Sequence, residues 1–448
     1  MRLPVPRQVK LMGDSVTDGG GFDLDDFRAQ AESASRPFLA ILQGLLAASP
    51  PYTKHQYSTL LNEARAYETY LDDHGARENA AWEYHTEQVA SVRNLGIAAF
   101  HVRHILDRFE RRYLEHLDED DRRFLEELGG TMTFLNESLQ RLAKEACREA
   151  TQLGLALPEA AALPQVSTDA RLPGTLPRTS EPVEVGDGDA RMLALVRNVR
   201  KVYGLARDFG VRPGLPPHEL LDVIPTKLDV KKVQKIKNLL QGVQSDYDTY
   251  VSRTALEAEN AVLPRLRGTC ATSLHLLEAM RWLTHFYERH LDPIRRNLIK
   301  KRMCELVDKG ELLNHAVNHL YQAAVTYLEK ANRYAEALLT SYAHMEQAEL
   351  PLPKPLGFHA RPATYVSLIV NEFGTDVYVL VGQERYSAKS VMALLEAGWI
   401  LAEKGSETVL FEGDERVLKD LRVLAAHNYC EDKEIPRELS YLRILRNR

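Results

Sequence analysis

The sequence lacks features that would place it in several common classes of protein. No apolar run approaches the roughly 20 residues needed to cross a bilayer, and the opening MRLPVPRQV lacks the charged, apolar and small-residue order of a secretory signal. The four cysteines are far apart and form no CxxC pair, which argues against a disulfide framework or a thiolate zinc site. We therefore expect a cytoplasmic chain without a membrane span.

Common catalytic and nucleic-acid-binding signatures are also missing. There is no Walker loop, no GxGxxG and no GxSxG. A formal net charge of −6, from 57 basic and 63 acidic residues, creates no overall field that would gather nucleic acid. Two basic stretches, at 227–237 and 295–302, contain no aromatic residues and are interpreted as solvated helix faces. Nucleic acid is not an expected partner.

The length of the chain predicts several domains, because single cores stop growing at roughly 250–300 residues and this chain has 448. Changes in composition and periodicity predict the boundaries. We expect an N-terminal helical domain at 1–157, a proline-rich flexible linker at 158–189, a second helical domain at 190–348, a small α/β domain at 349–430 and a C-terminal tail at 431–448.

Long amphipathic helices are expected in both helical domains. In the first, apolar residues such as Val89, Val92, Ile97 and Phe100 recur mostly three to five positions apart, which is a helical period. Between the domains, five prolines at positions 158, 164, 173, 177 and 182 interrupt any regular pattern. The linker prediction depends on them.

The two helical domains share a sequence pattern at an offset of 174 residues. This offset pairs Arg93 with Arg267, His101 with His275, and His116 with His290. A duplicated helical bundle is one interpretation, and a chance match between amphipathic helices of similar composition is the other. The helical region has no catalytic signature, so its expected role is protein recognition or self-association.

The helical region contains pairs of histidines that are candidate metal ligands. His315 and His319 lie four residues apart and share one helix face, a spacing that a metal can bridge. They lack a convincing third ligand, as do His101 with His104. Surface or packing roles are favoured for these histidines, and we predict neither a metal nor a cofactor.

The C-terminal region changes to short β-branched segments that alternate with helical patterns, which predicts a small α/β domain. Residues 357–363 read Gly-Phe-His-Ala-Arg-Pro-Ala, immediately before an apolar helical pattern that ends at Phe373. His359 is therefore expected at a helix N-terminus, where unpaired N–H groups and the macrodipole disfavour an imidazolium and attract an anion.

This position suits reversible phosphoryl transfer. A neutral His359 could attack a phosphoryl group, whose charge would be held by the helix start at Ala360, Pro362 and Ala363 and by the guanidinium of Arg361. The alternative is that His359 and Arg361 are ordinary cap or surface residues. Spacing alone does not separate the two interpretations.

The motif resembles the phosphorylation site of the histidine-containing phosphocarrier protein (HPr) of the phosphoenolpyruvate-dependent sugar phosphotransferase system, which reads Gly-x-His-Ala-Arg-Pro-Ala. A second family segment, Lys-Ser-Ile-Met, appears downstream as Lys389-Ser390-Val391-Met392. The resemblance covers about Leu350 to Cys430. It implies an open-faced β-α-β-β-α-β-α sandwich, with His359 as phosphoryl acceptor and Arg361 as its stabilising partner.

The resemblance also implies partners. The first enzyme of the phosphotransferase system would be the phosphodonor, and Val391, Met392 and Leu395 are candidates for the apolar patch that it recognises. Ser390 lies where some bacterial members carry a regulatory serine, which would make a dedicated kinase and phosphorylase further partners; the alternative is that Ser390 only caps its helix.

The first strand of the implied fold would contain Pro351, Pro353 and Pro355. Prolines are acceptable there only if the strand lies at a sheet edge.

The fold expected for the whole chain is multidomain, mostly helical bundles followed by an HPr-like α/β domain. The expected function is that of a bacterial phosphoryl-group carrier, rather than a turnover enzyme, that reports its phosphorylation at His359 to the attached helical region. The alternative is a non-catalytic regulator that uses the HPr-like domain as a docking module.

Overall fold

In a computed structural model of the chain, the described residues are 24–112, 119–161, 163, 188–291, 298–341, 344–432 and 434–445. Most of the predicted linker at 158–189 and the repeat residue His116 lie outside them. Among the described helices, none is both long and apolar enough to span a membrane.

The first part of the helical region is a ring of four antiparallel-packed helices, in which α1 and α3 each contact α2 and α4. These helices are α1 (Leu24–Ala47), α2 (Lys54–Asp73), α3 (Glu83–Arg112) and α4 (Glu119–Gln152). A capping box fixes the start of α2: the Thr53 hydroxyl accepts from the Gln56 N–H, and the Gln56 side chain accepts from the Thr53 N–H. Each helix buries one apolar face toward its neighbours, as the spacing of its apolar residues predicts.

The second part of the helical region repeats this order of contacts. The α-helices described in it are α5 (Gly188–Arg207), α6 (Pro217–Asp222), α7 (Val230–Tyr250), α8 (Ala255–Glu259), α9 (Val262–Phe286), α10 (Leu298–Leu306), α11 (Lys309–Asn314) and α12 (Gln322–Ser341). Helices α5 and α9 each contact α7 and α12, which makes a second four-helix ring. A π-helical segment, His315–Tyr321, joins α11 to α12.

The two rings pack together through their third helices, α3 and α9. At this contact the Nδ1 atoms of His101 and His275, the residues paired by the 174-residue offset, lie 2.9 Å apart. Two copies of a unit that are related by a two-fold axis contact each other through equivalent positions. The contact between His101 and His275 fits such a relation between the two rings. Buried apolar residues of both rings form one continuous core, so the two helical blocks are packed against each other.

The C-terminal domain has the β-α-β-β-α-β-α order that the resemblance implies. Its elements are β1 (Met345–Pro351), α13 (Ala360–Phe373), β2 (Val377–Val381), β3 (Glu384–Ser387), α14 (Val391–Glu403), β4 (Thr408–Asp414) and α15 (Glu415–Ala426). The four strands form one antiparallel sheet in the order β1-β4-β2-β3. The predicted fold class, helical bundles followed by a small α/β sandwich, is confirmed.

The first strand differs from the prediction in its position along the chain. It lies at the sheet edge as expected, but it begins at Met345 and ends at Pro351. Pro353 and Pro355 are therefore in the following loop, where their missing N–H groups remove no bond from the sheet.

The α/β domain has its own core, separate from that of the helical region. Phe411, Val366 and Leu394 are fully buried in it. The segment after residue 430, expected to be a tail, also contributes: Leu439 and Leu442 are fully buried against this core. A short helix, α16 (Leu442–Leu445), ends the described chain.

The two regions meet at the C-terminal end of α13. The guanidinium carbon of Arg197, on α5, lies 5.4 Å from the centre of the Phe373 ring. The guanidinium of Arg200 packs on Gly374, where a Cβ would come within 1.3 Å of Nη1. Gly374 also has a left-handed backbone, with φ of 76°. Both the turn and the close approach of α5 therefore require glycine at this position.

Candidate functional site

The site is built on the loop that leads into α13. Gly357 has φ of 69°, a conformation that favours glycine, and its N–H donates to the Pro353 carbonyl, which closes the turn. His359 follows with extended backbone and occupies the N-cap position of α13, although its side chain makes no cap hydrogen bond. The imidazole is therefore held at the helix entrance and is free to contact other groups.

The first turn of α13 presents donors to solvent. The first intrahelical bond runs from the Ala363 N–H to the His359 carbonyl, and Pro362 has no N–H. The N–H groups of Ala360 and Arg361 consequently start the helix without intrahelical partners. Together with the helix dipole, they form an anion-binding position beside His359.

The imidazole is partly exposed, and one of its nitrogens faces a carboxylate. The His359 side chain is 34% exposed, and its Nε2 lies 2.9 Å from Oε1 of Glu431. Oε1 is buried and receives no well-aligned hydrogen bond, so this contact is an electrostatic one at hydrogen-bond length. Nδ1 makes no hydrogen bond to any described residue.

Glu431 is a functional candidate that the sequence analysis missed, because it falls just beyond the family motif. The two residues at 428–429, just before Glu431, bind the loop that precedes His359. Asn428 exchanges two hydrogen bonds of 2.8 Å with the backbone of Lys354, and the Tyr429 hydroxyl donates to the Pro351 carbonyl at 2.9 Å. No sequence signal identifies this contact, since it joins positions more than 70 residues apart.

Arg361 is also attached to this segment. Its Nη1 donates to the backbone carbonyl of Glu431 at 2.8 Å. The guanidinium is only partly buried and has four further N–H donors for an anion at the helix start. His359, Arg361 and Glu431 thus converge, with one carboxylate and one guanidinium beside a partly exposed imidazole.

Ser390 occupies the N-cap position of α14. Its hydroxyl accepts from the Ala393 N–H at 3.2 Å, so the capping role weighed from the sequence is present in the structure. The residue is exposed, and a modifying enzyme could reach it. Lys389, just before it, donates to Asp376 at 2.6 Å and to the Gly374 carbonyl, which ties the start of α14 to the end of α13.

The candidate docking residues differ in exposure. Met392 is 73% exposed, whereas Val391 and Leu395 are half-buried. Trp399, which follows Met392 by two helical turns, is 63% exposed rather than part of the core. Gly398 contacts Phe358, so this end of α14 lies against the loop that carries His359. The sequence pattern did not separate the exposed side chains of α14 from the buried ones.

The side chains of His315 and His319, in the helical region, lie next to each other. Nδ1 of His315 lies 3.1 Å from Nδ1 of His319, and the Thr131 hydroxyl contacts both rings at 3.0 and 3.3 Å. The ring of His315 also stacks on Phe134. Burial lowers the pKa of His315 to about 4. These contacts place the pair in the packing between the two helical rings.

Comparison with protein-family models identifies one match. Residues 347–420 match the family model described as the PTS HPr component phosphorylation site. Searches of curated proteins and of solved structures returned no match to the chain. The C-terminal part of the chain is therefore an HPr-type domain attached to a helical region, and its function is of the phosphotransferase-system phosphocarrier kind.

Proposed function

We propose that His359 accepts a phosphoryl group from the phosphorylated first enzyme of the phosphotransferase system. The observation that carries this proposal is the convergence of an exposed imidazole, two unpaired N–H groups at the start of α13, and Arg361. The protein would act as a carrier in the cytoplasm of a bacterium.

The geometry suggests which nitrogen reacts. Nε2 faces Glu431, so Nδ1 is the atom available for in-line attack on phosphorus. As the new N–P bond forms and the bond to the donor breaks, positive charge develops on the imidazole and negative charge stays on the phosphoryl oxygens. Glu431 would stabilise the former, and Arg361 with the helix N–H groups would stabilise the latter.

Donor access is compatible with the position of the helical region. That region contacts Phe373 and Gly374, at the end of α13 opposite to His359. Thirteen residue steps of 1.5 Å separate Ala360 from Phe373, so the two ends are about 20 Å apart. A phosphodonor enzyme could therefore approach His359 from the side away from the helical bundles.

The helical region would respond to the phosphorylation of His359. A phosphoryl group adds about −1.5 to −2 charge, which is enough to change a contact between domains or with a partner. The exposed hydroxyl of Ser390 would offer a second, regulatory modification by a serine kinase and a matching phosphorylase. Self-association through exposed faces of the bundles is a further part of this proposal.

A non-catalytic docking module is the second candidate. The observation that favours it is the exposed apolar surface of α14, formed by Met392 and Trp399, which could bind a partner whether or not His359 is phosphorylated. Such a module would keep its binding activity after His359 is replaced, whereas a carrier would not keep its phosphorylation.

Incubation with radiolabelled phosphoenolpyruvate and the first phosphotransferase enzyme separates the two. The carrier proposal expects an acid-labile, base-stable label on the full-length protein that is absent from His359→Ala. His427→Ala, which replaces an exposed histidine of the same domain, is the matched control and should be labelled like the wild type. Absence of label on the wild-type protein, or label retained by His359→Ala, would contradict phosphoryl transfer at His359.

A further inference from the structure

A basic cleft separates the helical region from the HPr-type domain. It has a volume of about 730 Å³ and is lined by α5 and α12 on one side and by α13 and the segment around Tyr441 on the other. This volume is in the range of small-molecule sites. The cleft lies at the end of α13 opposite to His359, so it is distinct from the phosphorylation site.

One face of α5 supplies the positive charge. Arg197, Arg200, Lys201 and Arg207 line the cleft, and with about 3.6 residues per turn these four positions share one side of the helix. Gly204, between them, has no side chain to fill the space above the helix. The four cations exceed the two carboxylates of the lining, which belong to Glu336 and Glu372.

These cations form no ion pair within the part of the chain that the structure describes. None of the four has a carboxylate oxygen within 4 Å among the described residues, whereas arginines elsewhere in the two domains, such as Arg77, Arg281 and Arg385, are ion-paired. Arg197 is instead packed on the Phe373 ring and Arg200 on Gly374. Both arginines are half-buried. Placing charges in such a site without counter-ions costs free energy, which a bound anion would recover.

The shape and chemistry of the lining favour a ligand with more than one phosphate. At 1.5 Å per residue, the cationic face from Arg197 to Arg207 is about 15 Å long, which exceeds the reach of a single phosphate. Guanidiniums bind phosphate oxygens in a bidentate manner. The rings of Tyr203 and Tyr441 also line the cleft and could pack against a planar group.

We propose that this cleft binds a small molecule that carries a diphosphate group, with a nucleoside diphosphate as the form that would also use the tyrosine rings. Residues of both the helical region and the HPr-type domain line the site. A ligand that contacts both sides therefore stabilises their packed arrangement by its binding free energy. A ligand bound in this cleft would act on the helical region independently of His359.

Isothermal titration calorimetry tests this proposal. The full-length His359→Ala protein is titrated with ADP and with pyrophosphate, both without magnesium. This protein cannot be phosphorylated at His359, so the result does not depend on the proposed carrier function. We expect a dissociation constant below about 1 mM for at least one probe. Tighter binding of ADP identifies a nucleotide site, and equal binding identifies recognition of the diphosphate alone.

Charge reversal locates the site. Lys201→Glu and Arg207→Glu replace exposed side chains and should each weaken binding by at least about tenfold. Lys235→Glu, on the exposed face of α7, is the matched control and should bind like the parent protein. Binding of neither probe, or equal weakening by Lys201→Glu and Lys235→Glu, would overturn the proposal.

Discussion

The Oε1 atom of Glu431 lies 2.9 Å from Nε2 of His359, and the backbone carbonyl of the same glutamate accepts a hydrogen bond from Arg361. One residue therefore contacts both side chains of the motif, the imidazole through its carboxylate and the guanidinium through its main chain. This arrangement couples the proposed chemistry to the C-terminal segment that packs into the core of this domain.

We predict that Glu431→Gln slows phosphorylation of His359 by about tenfold, because the carboxylate stabilises the imidazolium that forms as Nδ1 attacks phosphorus. Rapid-quench measurement of phosphohistidine formation gives the rate. Glu438→Gln, an exposed substitution in the same segment, is the control. Equal rates for Glu431→Gln and the wild type would rule out this role.

Ser390 is predicted to combine a structural and a regulatory function. Ser390→Ala should destabilise the start of α14 by about 1 kcal/mol, because the Ala393 N–H loses its cap. Hydrogen–deuterium exchange of α14 peptides in the full-length protein would reveal this as faster exchange. Unchanged exchange would show that the cap contributes little.

A charge at position 390 is predicted to weaken phosphodonor docking. Ser390→Asp and Ser390→Asn both preserve an N-cap acceptor, but only aspartate adds negative charge beside Met392. We expect kcat/KM for phosphorylation by the first enzyme to fall by about tenfold for aspartate and to change little for asparagine. If the two variants behave alike, the effect of the modification is not electrostatic.

Met392→Ala is predicted to raise the KM of the phosphodonor enzyme roughly five- to tenfold, with little change in stability, because the side chain is 73% exposed and supports little of the core. Steady-state phosphorylation kinetics measure this. Met345→Ala removes another exposed methionine of the same domain, on the edge strand near the helical region, and should leave KM unchanged. A similar effect from both substitutions would argue against a localised docking patch.

Acid is predicted to destabilise the helical region. The pKa of His101 is lowered to about 4 and that of His275 to about 3, mainly by burial; the nearby Lys54 contributes to lowering both, whereas Glu278 raises that of His101. Above pH 6.5 these histidines are neutral in the folded and unfolded states, so they add no pH dependence. Between pH 6.5 and about 4 only the unfolded chain binds their protons, and stability should fall by about 1 kcal/mol per pH unit for each histidine.

Urea unfolding at pH 7, 6 and 5 measures this slope. In a Trp399→Phe background the remaining tryptophans, Trp82 and Trp282, both report on the helical region. His275→Gln should reduce the pH dependence of the unfolding free energy by the contribution of one histidine. This holds whatever effect the substitution has on stability at pH 7. A slope that His275→Gln leaves unchanged would assign the acid sensitivity to other buried histidines, such as His85, whose pKa burial lowers to about 4.

The amino-acid sequence by itself determined the local features of this protein. The helical period of apolar residues, the glycine and proline around His359, and the capping position of Ser390 depend on interactions within a few residues, so they could be predicted without the fold. The HPr motif fixed the order of strands and helices in the C-terminal domain for the same reason, since each element carries its own pattern.

Only the tertiary structure decided which distant groups meet. Glu431 reaches His359 because Asn428 and Tyr429 bind the loop before α13, and the basic face of α5 becomes one wall of a cleft because Arg200 packs on Gly374. The exposure of Met392 and Trp399 was likewise set by packing rather than by period. Contacts of this kind depend on chain segments tens to hundreds of residues apart, and a single sequence has no local signal for them.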